Sequence, residues 1–375
     1  MSITAGEGHN ATARAVVTAL RERGHECRLV DAYKEIDTRL HSIVSRGYLF
    51  SVSRLRRAYS GVYSRLEARR RNAYRNSATR LVNRAVSGRI QRTLDDYRPD
   101  VIVYTHCFCG ILLDVIKEKN GLRPRTVGIL TDFAMHPYWE ECLRTDYVVI
   151  PNDLCIPSAR AKGFTDKQIK PIGIPIKPIF AEKTEKREAR RAIGLDGETV
   201  TLLLMGGSMG YGNLASTVKR LDSLPVELQI ICVTGNNAKA RAEIEGLRLS
   251  KKTVVYGFTD KVGLLMDAAD IIISKPGGLT ASEALAKRLP MILKNPIPGI
   301  EDRNKEFLLN NGVAVAVTKT YSLENAVCQL LKNERRIRAM LDCIDCIRRP
   351  YATASLCDLV EQCCTEKCDG ETKKG

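Results

Sequence analysis

The chain has 375 residues, 44% apolar and 27% charged, with 59 Lys and Arg against 43 Asp and Glu for a formal net charge of +16. That length and balance support two domains with sizeable cores and exclude a disordered or fibrous chain. No run approaches the roughly eighteen apolar residues of a spanning helix, and "MSITAGEGHN" lacks the basic and apolar parts of a secretory signal, so a cytoplasmic setting with thirteen reduced cysteines is expected.

In chain order, "MSIT" reads as a short strand, "NATARAVVTALRERG" as a helix stopped by Gly24, and "ECRLVDA" as a second strand. Gly6 and Gly8 make a sharp turn that delivers His9 to the head of the helix, where the helix field lowers its proton affinity and keeps it a neutral base. From Arg46 to Arg92 there are thirteen arginines, no lysine and one acid, Glu67. Arg54, Leu55, Arg56, Arg57, Tyr59 and Tyr63 recur at spacings of three and four, which predicts a helix with one apolar and one cationic face. Such a face suits anionic membrane lipid. A solvated surface helix is the plain alternative, and a nucleic-acid patch a weaker one.

Three apolar, β-branched runs follow, "DVIVYTH", "RTVGIL" and "DYVVIPN", of the kind that fills a parallel sheet covered on both faces. "TDFAMHPYW" (131–139) ends one of these strands and brings Asp132, His136 and Trp139 toward His9. "IKPIGIPIKPIF" (169–180), with three prolines, marks the domain boundary. The second half repeats the pattern with "TVTLLLMGG", "ELQIICVTG", "KTVVYGF", "ADIIISK" and "LPMILKN" between helical stretches, predicting a second doubly wound α/β domain.

Three loops of this half carry candidate chemistry. "LLLMGGSMGYGN" places Gly207, Ser208, Met209 and Gly210 between a strand and a helix, a place for a phosphate or simply a tight turn. "SKPGGLTASEA" opens a helix with Gly277, Gly278, Leu279 and Thr280, and Glu283 there either complements the helix dipole or accepts from the two hydroxyls of a ribose. In "NPIPGIEDRN", Pro296, Pro298 and Gly299 stiffen a loop that offers Glu301, Asp302 and Asn304 to sugar hydroxyls, or else Glu301 and Asp302 begin the helix "EDRNKEFLLNNG". The end, "RRPYATASLCDLVEQCC", reads as a helix followed by a polar tail from about Thr365. Six cysteines crowd residues 343–368, but no partner histidine follows and the segment reads as a helix with apolar faces, so plain thiols and no metal are expected.

"GEGHNATA", "TDFAMHPYW", "GGSMG", "SKPGGLTASEAL" and "PIPGIEDRN" occur in an order that resembles the bacterial and plastid diacylglycerol glycosyltransferases of the monogalactosyldiacylglycerol synthase type. More distantly the chain is similar to the lipid-linked N-acetylglucosaminyltransferase of peptidoglycan synthesis. The resemblance spans residues 2–360 and implies a GT-B fold, two doubly wound Rossmann-like domains facing across a cleft. It divides the chain into an acceptor and membrane-docking domain (1–170), a hinge (171–182), a UDP-sugar domain (183–347), a C-terminal helix crossing back to the first domain (348–364) and a tail (365–375).

By the same resemblance His9 is the general base; Asp132, from its place in "TDFAMHPYW", is expected to orient it or touch the acceptor. Gly207 to Gly210 hold the diphosphate, Gly277 to Thr280 with Glu283 the uridine and ribose, and Phe258 marks where backbone reads the uracil. Glu301, Asp302 and Asn304 clamp the sugar, while Trp139 and the arginine-rich segment meet acceptor and membrane. The implied reaction is inverting transfer from UDP-glucose or UDP-galactose to diacylglycerol or a glycosyl-diacylglycerol. It is expected to need no metal or other cofactor and no nucleic acid, and to run on anionic lipid at the inner face of the cell membrane. Transfer of N-acetylglucosamine to a polyprenyl-linked precursor is the near alternative, and a UDP-sugar 2-epimerase the more distant one. Two departures stand out. Ile300 occupies a position where relatives carry Gln, which leaves the sugar open, and only three residues precede Thr4, so a late start or a clipped first strand is expected.

Overall fold

The structure, a computed structural model, describes residues 1–3, 7–36 and 78–372. The arginine-rich stretch with Arg54, Leu55, Arg56, Arg57, Tyr59 and Tyr63 lies outside the described residues. The chain forms two compact units, Met1–Lys177 with Pro298–Ile300 and Tyr351–Gly375, and Pro178–Ile297 with Glu301–Pro350.

In the first unit α1 (Glu7–Glu22), α2 (Ala32–Ile36) and α3 (Ala78–Tyr97) precede β1 (Val101–Tyr104). There follow α4 (Cys107–Asn120), β2 (Arg125–Ile129), β3 (Tyr147–Val149), α5 (Ile156–Lys162) and β4 (Ile169–Lys170). The four strands pair in parallel in the order β1-β2-β3-β4, Val101 opposite Arg125 and Val127 opposite Tyr147. Val127, Ile129, Val148 and Val149 are fully buried, as strands covered on both faces require. From the arginine run, Arg80 turns inward and fixes α3 to α4 through Asp114 (2.9 Å) and Glu118 (2.6 Å).

The two strands expected from "MSIT" and "ECRLVDA" reduce to a single parallel bridge, Ser2 to Asp31. Ser2 N–H donates to Val30 O and Ala32 N–H to Ser2 O, both at 2.9 Å, while on the other side the Met1 ammonium donates to Val103 O at 2.5 Å. Two bonds do not make a ladder. Residues 25–30, without regular secondary structure, line a cavity of about 320 Å3 together with Val16, Leu20, Leu94, Val101 and Val103, among others. None of the sequence-predicted site residues lines that cavity.

In the second unit the order along the chain is α6 (Lys186–Ala192), β5 (Thr201–Met205), α7 (Leu214–Asp222), β6 (Gln229–Val233), α8 (Ala238–Glu245), β7 (Thr253–Tyr256) and α9 (Val262–Ala268). Then come β8 (Ile271–Ser274), α10 (Gly278–Ala286), β9 (Met291–Leu293), α11 (Ile300–Asn310), β10 (Ala314–Ala316), α12 (Leu323–Leu331) and α13 (Glu334–Ile347). The six parallel strands are arranged β10-β9-β8-β5-β6-β7. From β5 the chain winds outward to β7, then returns to the other side of β5 as β8. The loops after β5 and β8 therefore flank the point where winding reverses, the place where open α/β sheets bind ligands. β10, "AVA", was not foreseen because three small residues carry no period.

The Pro-rich run contributes β4 and the buried Ile174 and Ile176 to the first unit, and the units divide after Lys177. α14 (Ala352–Thr372) returns to that unit and packs Leu356, Val360 and Cys363 with Val16 and Leu20 of α1. It continues past Thr365, where a polar tail was expected, since no helix breaker appears before Gly370. The cysteines from Cys27 to Cys364 are free thiols. Among the described residues no helix is long and apolar enough to cross a membrane.

Candidate active site

In the second unit the chain leaves β5 through a glycine turn. Gly207 (φ 69°) and Gly210 (φ 59°) adopt the left-handed conformation that favours glycine. A Cβ on Gly210 would lie 2.1 Å from Thr234 O and 2.4 Å from Asn237 Cβ, so the turn packs directly on the loop after β6. Bonds on the carbonyl side lock it: Tyr211 N–H donates to Gly206 O (2.6 Å), Asn236 N–H to Ser208 O (2.8 Å) and Asn237 Nδ2 to Gly210 O (3.1 Å). With the carbonyls engaged, the N–H groups of Gly207, Ser208 and Met209 give to no protein acceptor among the described residues. Successive free amides of this kind form an anion-binding nest. The dipole of the following helix is not part of it. α7 starts only at Leu214, and the Asn213 side chain already caps it by accepting from Ser216 N–H at 3.0 Å.

The loop after β8 runs Lys275-Pro276-Gly277 into α10. Gly277 is the N-cap and has no side chain to satisfy the first-turn amides, which leaves that helix start open to an anion as well. Thr280 and Glu283 are half-buried along the same helix.

Glu301, Asp302 and Asn304 stand in the first turns of α11, so of the two expectations the helix start holds and the stiffened loop presenting them does not. Glu301 and Asn304 are buried at 6% and 0% exposure. One Glu301 oxygen pairs with the Lys275 ammonium and the other accepts from Ile297 N–H at 2.7 Å. Asn304 Nδ2 donates to Pro276 O at 3.0 Å, and Asp302 lies 3.6 Å from Lys305. Both buried side chains thus bind the loop after β8 to α11. Phe258, just beyond β7, is 69% exposed.

In the first unit His9 sits in the first turn of α1, half-buried. Its Nδ1 lies 2.7 Å from Thr105 O and 3.0 Å from Thr131 Oγ1. A carbonyl only accepts, so Nδ1 carries the proton and Nε2 keeps the lone pair of a base. Burial lowers its pKa, opposed by the charge of Asp132 and by the Thr105 bond. The neutral state expected from the sequence thus rests on desolvation before any helix field.

His106 meets His9 edge-on at 4.7 Å between ring centroids, with its own Nδ1 accepting from Phe108 N–H at 3.2 Å. Burial, then His9 and His136, push its pKa well down. Phe108 lies 5.0 Å from His106 and 5.3 Å from Tyr138, which stacks on His136 at 5.0 Å. Five rings therefore wall the end of this sheet next to Asp132. Trp139 does not join them. It is 3% exposed and stacked on Tyr104 at 5.9 Å beneath Gly128, so it is a core residue and meets neither acceptor nor membrane.

Residues 9–176 match the family model described as monogalactosyldiacylglycerol (MGDG) synthase, and residues 201–346 match the glycosyltransferase family 28 C-terminal domain. The chain is a glycosyltransferase whose two parts match these two models in turn. The glycosyltransferase is 26% identical over 365 residues to a processive diacylglycerol beta-glucosyltransferase of Bacillus pumilus, covering 95% of this chain and 92% of that protein. It is 28% identical to the chloroplastic monogalactosyldiacylglycerol synthase of Spinacia oleracea, over 88% of this chain and 65% of that one. Among solved structures the glycotransferase of kitacinnamycin aligns with a TM-score of 0.63 over 96% of both chains at 14% identity. MurG of Acinetobacter baumannii aligns at 0.57 over 75% of this chain and 78% of that one, at 15% identity. These likenesses place the fold of the glycosyltransferase among the GT-B enzymes.

Thr105, Thr131, His106 and Lys275 were not singled out from the sequence. All four follow strands, in the stretches "YTH", "LTD" and "SKPGG", whose neighbouring residues carry the sequence expectations. Position at a strand's carboxyl end was the signal that could have found them.

Proposed function

We propose that this protein moves a hexose from UDP-glucose or UDP-galactose, with inversion, to diacylglycerol or a glycosyl-diacylglycerol at a membrane surface. The observation that carries the reading is His9, whose Nδ1 proton is committed to Thr105 O so that Nε2 is left as the base. Nε2 takes the proton of a glycerol hydroxyl, the oxygen bonds to the anomeric carbon, and the bond from that carbon to the UDP oxygen breaks. The amides of Gly207, Ser208 and Met209 and the start of α10 meet the charge growing on the diphosphate. The reading calls on no metal, so transfer should persist in a chelator. Phe258 is assigned to the uracil, Glu283 to the ribose, and Glu301, Asp302 and Asn304 to shaping the sugar end of the loop.

Arg54, Arg56 and Arg57, with Leu55, Tyr59 and Tyr63, are assigned to anionic lipid, holding the protein peripherally on the cytoplasmic face. His9→Ala should abolish transfer with UDP affinity kept within about twofold, read by product assay with labelled UDP-sugars and by calorimetry. Turnover near wild type would remove His9 from the mechanism. Reversing the three arginines to Glu should release the protein from anionic liposomes; RNA competing with those liposomes would count against the lipid assignment.

A further inference from the structure

Lys275 follows the strand β8 within "SKPGGLTASEA" and has no role in the reading of that motif, yet it lies between two of the second unit's loops. Its arm lies across the glycine turn, with Cε only 3.2 Å from where a Cβ on Gly207 would stand. Its ammonium lies 3.8 Å from the corresponding point on Gly277, the N-cap of α10. The cation therefore sits beside both sets of open amides, those of 207–209 and those of the first turn of α10. Its one carboxylate partner among the described residues, Glu301, is buried and divided between the ammonium and Ile297 N–H. A buried acid that already holds a backbone amide cannot follow the lysine. The lysine, about a quarter exposed on a flexible four-carbon stem, can turn.

We infer that Lys275 is the cation that binds the diphosphate of the nucleotide donor, held ready by Glu301 until the nucleotide arrives. The inference rests on the proposed UDP-sugar reading and adds to it a side chain that recognises phosphate and not the nucleoside. A purely structural role, a clip between the loop after β8 and α11, predicts a different pattern. Loosening the clip would weaken uridine and UDP alike, whereas losing a phosphate-binding charge weakens only the ligand that carries phosphate.

The test is calorimetric titration of the full-length protein with UDP and with uridine at two salt concentrations. Lys275→Ala should weaken UDP at least tenfold, leave uridine within twofold, and flatten the salt dependence of UDP binding. Lys275→Arg should keep UDP within about threefold. Glu301→Gln, which frees the ammonium, should hold or tighten UDP affinity. Lys275→Met keeps the apolar arm and serves if the alanine variant does not fold. Equal losses for uridine and UDP, or no loss for either, overturn the assignment. If the unmodified protein binds no UDP, the donor reading itself fails; if it does and Lys275→Ala binds equally well, only this inference falls.

Discussion

Gly210→Ala separates a turn that merely tolerates glycine from one built around it. Alanine at φ 59° costs about 1–2 kcal/mol from left-handed backbone alone. Its Cβ would also arrive 2.1 Å from Thr234 O and 2.4 Å from Asn237 Cβ, more than an ångström inside contact distance, and neither neighbour is the free end of a side chain. Overpacking of that kind adds about 1–3 kcal/mol, for a total near 2–5 kcal/mol. In a domain of this size each kcal/mol lowers the melting temperature by roughly 2–4 °C. Gly207→Ala is the control. It shares the left-handed backbone (φ 69°), but its nearest neighbour is the movable Lys275 Cε at 3.2 Å, so only the backbone cost applies. Scanning calorimetry of both variants, with UDP titration at 25 °C, reads the difference. Gly210→Ala should melt several degrees below Gly207→Ala and bind UDP more weakly. Equal melting temperatures with normal UDP affinity for Gly210→Ala would refute the packing argument.

Because burial lowers the pKa of His9, the acid limb of kcat/KM should fall below the usual histidine value near 6.5, and a limb above it would contradict the buried neutral base. His9 and His106 both hold protons more weakly folded than unfolded. As pH falls below about 6.5 the unfolded chain takes them up first, so stability is full above that value and declines below it, by at most about 1.4 kcal/mol per pH unit for each ring. His106→Gln should reduce that slope in urea melts taken from pH 7 to 5. The Lys287–Asp267 pair, 2.7 Å apart with side chains 3% and 5% exposed, also binds Glu182 O and Thr184 N–H. Asp267→Ala should cost about 3–5 kcal/mol by stranding a buried ammonium, and Asp267→Leu with Lys287→Met distinctly less, as denaturant midpoints will show.

The second unit's sheet was legible because its strands are continuous apolar runs such as "LLLM" and "IIIS", which only burial on both faces explains. "MSIT" and "ECRLVDA" have strand composition, but a strand also needs partners, and pairing is not written in one segment. His9 was found through the glycines before it. Trp139 was misplaced because a tryptophan beside His136 looks like a binding residue, and only the chain's return over Tyr104 shows it turned inward. Lys275 and the inward turn of Glu301 were missed together, since each makes sense only with the other and 26 residues separate them.

Since α14 closes against α1, the first unit is assembled from segments on both sides of the second, while residues 178–350 form a nearly unbroken stretch between them. During translation the second unit can complete its core before the first has all of its own, reversing the usual amino-to-carboxyl order of maturation. A gene fragment for the second unit alone is a practical crystallisation target for nucleotide soaks, whereas the first unit would need its two ends stitched through an artificial linker.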